Sequence, residues 1–199
     1  MTTTTMNACE RVAREEGLAA GLAAAVGDTE VAATAPGRLA AVPAAGVPEG
    51  VPVHRHRLAD HEGVVFLPTP GTAHAPPPTL AEVGRRLAAA RLGLVRRLLD
   101  EAVEHLSGRS TGGEPLIRKQ LVTGAVADIL ADLELLREQI LAPDDPVAVA
   151  DAHERLDDLG WEVLKLFGAA GYIADHPARA LHVSVLVGNT WVVRDGGRP

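Results

Sequence analysis

The sequence predicts a mainly α protein: a four-helix up-down bundle over residues 79–199, preceded by a short irregular β segment. Three observations carry that expectation. From Thr79 onward, apolar side chains recur at helical spacing in four successive stretches joined by short loops. Hydrophobic residues are 47% of the 199 but aromatics only 3%, so the core is built from Leu, Val and Ala, which suits helix-on-helix packing. Prolines are dense before residue 79 (Pro36, Pro43, Pro48, Pro52, Pro68, Pro70 and Pro76-Pro77-Pro78) and mark only helix boundaries after it.

Residues 1–78 read as an N-terminal helix, a small β segment and a Pro-rich linker. The helix is Ala-rich and spans 8–26, with Val12, Leu18, Leu22 and Val26 along one side. Strand-like pieces follow at 30–34, 38–42, 51–58 and 63–67, each bounded by Gly or Pro. The first bundle helix opens on Thr79-Leu80-Ala81-Glu82, a capping-box pattern, and carries Val83, Leu87, Leu94, Leu98 and Leu106 to about Ser107. The second runs from about Pro115 to Leu141 with Ile117, Leu121, Ile129, Leu133, Leu136 and Ile140. Asp145-Pro146 supplies an N-cap and a first-position proline to the third, which carries Val149, Leu156, Leu159, Val163 and Phe167 to a Gly168–Gly171 loop. Asp175 caps a fourth that ends around Gly188.

The same composition excludes several classes of function. A net charge of -7, with no basic cluster clear of acids, argues against a nucleic-acid surface. Cys9 stands alone near a terminus expected to fray, which rules out an internal disulfide and a Cys-based metal site. No apolar run reaches membrane-spanning length, and the Thr-rich start lacks a basic segment followed by an apolar core. The expectation is a cytoplasmic protein with neither nucleic-acid nor membrane partners.

Chemistry concentrates in the loop Arg109-Ser-Thr-Gly-Gly-Glu-Pro-Leu-Ile-Arg-Lys-Gln120, and in Lys165-Leu-Phe-Gly-Ala-Ala-Gly-Tyr172 downstream. An Arg fork beside two glycines binds a phosphate bidentately while the backbone comes close. The plainer alternative has Arg109 neutralising the C-terminal dipole of the first bundle helix. Histidines offer a third constellation: alternation puts His54 and His56 on one face, with His61 nearby, where two imidazoles can share a metal. The plainer reading there is the polar face of an edge strand, and no metal site is assigned. His153 and His182 lie on helices and read as partly buried polar residues; Ser110 and Ser184 lack a paired His at a recognisable spacing.

In order and spacing the two segments resemble the Arg-x-x-Phe-Gly-x-x-Leu-x-x-x-Gln and Gln-x-x-Gly-Gly-x-Gly-Tyr segments of flavin-dependent acyl-CoA dehydrogenases. The likeness extends over roughly 79–187, with Ala90-Arg91-Leu92-Gly93-Leu94 in the helix entering the loop and Val122 to Leu136 in the helix leaving it. It implies a truncated, divergent member built around the family's C-terminal helical bundle, with 51–67 a remnant of the central β domain and the N-terminal helical domain almost entirely missing. By the resemblance, Arg109 falls at the pyrophosphate-binding Arg, and Thr111 and Gln120 at positions that touch the flavin dinucleotide. Lys165, Gly168 and Ala169, with Gly171 and Tyr172, fall in the loop that approaches FAD from the neighbouring subunit.

The departures narrow what the resemblance implies. Gly112 stands where the family has a Phe that packs on the cofactor, Ala169 replaces a loop Gly, and Lys165 replaces a Gln. Aligning Gly188 and Thr190 with the family's Glu-Gly-Thr leaves Val187 in place of the usual base, and Val moves no proton. Some members of the family place the base on another helix, which by the resemblance makes Glu101, Glu104 and Glu134 candidate substitutes, though a Glu on an amphipathic helix is most often solvated. The expectation is an acyl-CoA-dehydrogenase-like subunit sharing an FAD site for α,β-dehydrogenation of an acyl-CoA or carrier-bound acyl thioester. Its partner is a fuller-length chain of the same type or a second copy, as homodimer or heterotetramer. The alternative is a repurposed domain without FAD, acting either as a small biosynthetic catalyst in the former acyl pocket or as a scaffold.

Overall fold

One helix organises the chain in the computed structural model, which describes residues 2–71, 78–142 and 146–193. This is α5 (Pro78–Ser107), 30 residues long. It packs against α1 (Thr2–Glu16), α2 (Leu18–Val26), α6 (Gln120–Leu141), α7 (Pro146–Leu166) and α8 (Arg179–Trp191). The expected four-helix bundle is α5 to α8. Val83, Leu87, Leu94, Leu98 and Leu106 of α5 are all buried, as their spacing requires, and so are Ile129, Leu133, Leu136 and Ile140 of α6. Boundaries differ from the expected ones for local reasons. Pro78 opens α5, where a missing N–H costs nothing, so Thr79 lies inside the first turn and does not cap it. Glu114 and Pro115 are committed to a hairpin, so α6 starts at Gln120. The fourth helix starts at Arg179, past Pro177, and runs on to Trp191. The proposed Asp145 cap lies outside the described residues.

The N-terminal region departs further from expectation. The single helix expected over 8–26 is two, broken at Gly17, whose φ of 96° only glycine adopts readily. Cys9, expected near a frayed end, is buried in α1. Small residues let α1, α2 and α5 approach closely. A Cβ on Gly93 would stand 2.0 Å from the Glu10 carbonyl oxygen, and one on Gly21 2.5 Å from the Ala13 Cβ. The low aromatic content thus has a packing reason: these backbones leave no room for larger side chains.

Two of the four expected strands form. β1 (Leu39–Pro43) pairs antiparallel with β2 (Val64–Pro68), Ala41 facing Phe66. Residues 30–34 instead give the single helical turn α3 (Val31–Thr34), in keeping with the helix-forming Ala32 and Ala33. Over 51–58 only His54 bridges to Phe66 before α4 (Arg57–His61) begins; Pro52 removes a ladder donor from that stretch. Both edges of the small sheet are closed. Phe66 exchanges hydrogen bonds with the His54 backbone (2.8 and 3.0 Å). On the other edge the Ala41 N–H donates to Thr190 Oγ1 (3.0 Å), and its carbonyl accepts from Trp191 Nε1 (2.8 Å).

At the bundle centre lies a polar cluster around Arg91, which is 1% exposed. Its guanidinium pairs with Asp157 and donates to Ser184 Oγ (2.8 Å) and His153 Nδ1 (2.8 Å). His153 in turn donates from Nε2 to the Gly84 carbonyl (2.9 Å), which makes its ring neutral with the proton on Nε2. Gly188 makes space for the cation: a Cβ there would stand 2.9 Å from Arg91 Nη1. A charge this deep is tolerated only while paired. Replacing Arg91 alone with Met strands the Asp157 carboxylate and should cost about 3–5 kcal/mol in chemical denaturation. The double variant Arg91→Met/Asp157→Leu should recover most of that loss; a double variant as unstable as the single would refute the account.

Candidate functional site

The two sequence segments meet at one end of the bundle, where α5 stops and α7 stops. After Ser107 the chain forms a short hairpin, β3 (Ser110–Thr111) against β4 (Glu114–Pro115). Its two turn residues, Gly112 and Gly113, have φ of 61° and 80°, the pattern of a tight turn that demands glycine. Gly112 is therefore held by backbone conformation. Arg109 leads into the hairpin, its carbonyl accepting from the Leu116 N–H (2.7 Å), while its side chain is exposed with Nη1 3.3 Å from His105 Nε2. Thr111 is exposed, and so is Gln120 at the start of α6. No side chain caps α6: its N-cap residue is Lys119, whose ammonium has no acceptor to offer and pairs with Glu114 (2.6 Å).

The second segment is also exposed at its cofactor-type positions. Lys165, in the last turn of α7, pairs with Glu162 (2.6 Å). Gly168 has a φ of 60°, and the chain then makes a tight helical turn over Gly168–Tyr172 in which Ala169 faces solvent. Gly171 is buried, and a Cβ on it would stand 2.9 Å from the Leu164 carbonyl oxygen. Tyr172 points outward.

What brings the segments together is a row of rings. His105 lies 5.7 Å from Phe167 between centroids, and Phe167 lies 4.7 Å from His176, edge-on. Arg109 thus connects through His105 to the residue preceding Gly168. Among the described residues no hydrogen bond joins the segments directly. His176 also accepts the Ala178 N–H at Nδ1 (3.1 Å), just before α8. Burial pushes its pKa down, and the charge of His105 pushes the same way. Next to it Arg179 pairs with Glu62 (2.8 Å), whose carboxyl burial nonetheless pushes up.

Val187 is buried in the core. Glu101 is held by Arg97 (3.0 Å) and Glu134 by Arg96 (2.8 Å). Glu101 and Glu104 line a groove of about 610 Å³ between α1 and α5, whose arginines include Arg14, paired with Asp100, and Arg137, paired with Glu10. His54, His56 and His61 are exposed, and among the described residues no three potential metal ligands converge. His182 stacks edge-on against Trp161 at 5.1 Å. Sequence reasoning missed the Arg91 cluster, although an Arg inside an apolar run and an i,i+4 pair at His153 and Asp157 were its visible traces.

Residues 80–142 match the family model described as acyl-CoA dehydrogenase, C-terminal domain. Over these residues the chain is similar to that family's C-terminal helical domain. Solved acyl-CoA dehydrogenases share its fold. The butyryl-CoA dehydrogenase of Megasphaera elsdenii aligns with a TM-score of 0.52 at 19% identity, over 73% of this chain and 46% of that one. A steroid ACAD named Tcur3481-Tcur3483 aligns with a TM-score of 0.55 at 22% identity, over 80% and 46%. A protein of Mycobacterium smegmatis described as an acyl-CoA dehydrogenase gives 0.53 at 18%, over 71% and 47%. The chain spans about half the length of these structures. No curated protein matches it. No helix among the described residues is long and apolar enough to cross a membrane.

A pH dependence follows from His176. With the folded pKa below the ordinary 6.5, the unfolded chain binds the extra proton first. The stability held above pH 6.5 is therefore lost as pH falls toward and through the lowered pKa. Melting temperature should drop across that window and His176→Asn should flatten the drop; an unchanged slope would remove His176 from the account.

Proposed function

We propose that this chain is an acyl-CoA-dehydrogenase-like subunit that completes a flavin site on a partner chain. The single observation that carries the reading is the convergence of the Arg109–Gln120 and Lys165–Tyr172 segments on one exposed end of the bundle. Among the described residues, Arg109 has only a His105 nitrogen near its guanidinium, which leaves its fork open to a pyrophosphate. Thr111, Gln120 and the backbone around Gly168 and Ala169 offer neutral donors on the same surface. These residues suit the phosphate half of FAD. Bound there, FAD would supply the hydride acceptor for α,β-dehydrogenation of an acyl thioester. This chain's part is to bind and orient. With Val187 buried and Gly112 in a turn, it brings neither base nor stacking aromatic, so the base and the acyl pocket belong to the partner.

Those same two losses favour a second reading, a domain that no longer meets FAD and serves as a scaffold or a small biosynthetic catalyst. Purification with a co-encoded fuller-length acyl-CoA dehydrogenase-like chain separates the two. A yellow complex that forms only with the partner, and that loses about tenfold or more of its FAD affinity in Arg109→Ala, supports the shared site. A colourless protein in every combination would sink it.

A further inference from the structure

A second candidate site lies at the far end of α2, away from the hairpin. There an apolar groove of about 480 Å³ is lined by Val26, Val31, Val42, Val47, Val51 and Leu67, with Gly27 and Thr29 also in its wall; Arg86 is not itself part of the lining but lies against these two residues. That volume falls within the range of small-molecule sites. Arg86 of α5 reaches the Gly27 and Thr29 side. Its Nη1 is 3.3 Å from where a Cβ of Gly27 would stand, and its Nη2 lies 3.4 Å from Thr29 Oγ1, a weak contact.

Arg86 is unusual among the arginines of α5. Arg91, Arg96 and Arg97 each have a carboxylate partner, and Arg85 donates to the carbonyls of Ile140 and Ala142. Arg86 makes no ion pair with the described residues, and its Nε is buried without a hydrogen-bond partner. The last carbonyls of α2 do not accept from it, so capping that helix does not occupy it. Cys9 feels its charge but does not neutralise it: burial pushes the thiol up, which keeps it protonated at neutral pH. A half-buried guanidinium lacking a counter-charge costs free energy that a bound anion would recover.

We propose that the groove binds an aliphatic carboxylate, with the chain on the valine-lined wall and the carboxylate on Arg86 and Thr29. One guanidinium balances one negative charge, and its fork matches a carboxylate bidentately. The site needs neither flavin nor a partner chain.

The test is calorimetric titration of the purified chain with decanoate and with 1-decanol, which share a tail and differ in head charge. Decanoate should bind at least about tenfold more tightly than the alcohol. Arg86→Gln should remove that preference while leaving alcohol affinity unchanged. Val51→Asp, at a half-exposed wall position, should weaken both. Circular dichroism checks that each variant is folded. Equal affinity for the two ligands, a preference that survives Arg86→Gln, or no saturable binding to the wild-type chain would each overturn the proposal.

Discussion

The mutual register of α5, α7 and α8 depends on one deeply buried positive charge, Arg91. Arg91 sits where α5, α7 and α8 meet, and its hydrogen bonds reach Asp157 and His153 on α7 and Ser184 on α8. A hydrophobic contact tolerates sliding, but a desolvated guanidinium does not, because each displaced donor becomes an unsatisfied buried group. The three helices are therefore locked in register as well as pressed together. Gly188 belongs to the same constraint, because any side chain there would enter the volume of the guanidinium. Residues that align with a catalytic segment of the family thus have structural duties in this chain: Gly188 houses Arg91, Val187 fills the core, and Thr190 holds a strand edge.

That reassignment explains why the two ends of the resemblance differ. The exposed hairpin and the Gly168–Tyr172 turn keep polar groups pointing outward, where only a second molecule can use them. Val187, Gly188 and Thr190, by contrast, are taken up in the packing of α8 on α5 and on the sheet. The two regions are held by different contacts, one exposed at the bundle end and one packed in the core.

Much of this was legible in the sequence because helical periodicity reports burial directly. The apolar stripes of α5 and α6 pointed inward as their spacing requires, and the resemblance located both loops. What stayed hidden depended on contacts distant in sequence. Nothing local to Arg91 announces Asp157 or Ser184. Gly17 splits a continuous Ala-rich pattern because its φ is positive, and composition does not reveal φ. Residues 30–34 and 51–58 satisfied strand boundaries in Gly and Pro, yet neither found a ladder partner beyond the His54 bridge. The closeness of His105 to Phe167 follows from where two helices happen to stop, which periodicity sets only to within a turn.

The two-stranded sheet carries a consequence for assembly. Its outward-facing positions are Leu39, Ala41 and Pro43 on one edge and Val64, Phe66 and Pro68 on the other. Proline has no N–H, Ala41 is occupied by Thr190 and Trp191, and Phe66 is occupied by His54. Neither edge offers a run of free donors and acceptors, so the sheet cannot grow by templating another strand. The protein is thereby guarded against edge-to-edge aggregation, and any larger β layer must meet it through side chains and not through a shared ladder.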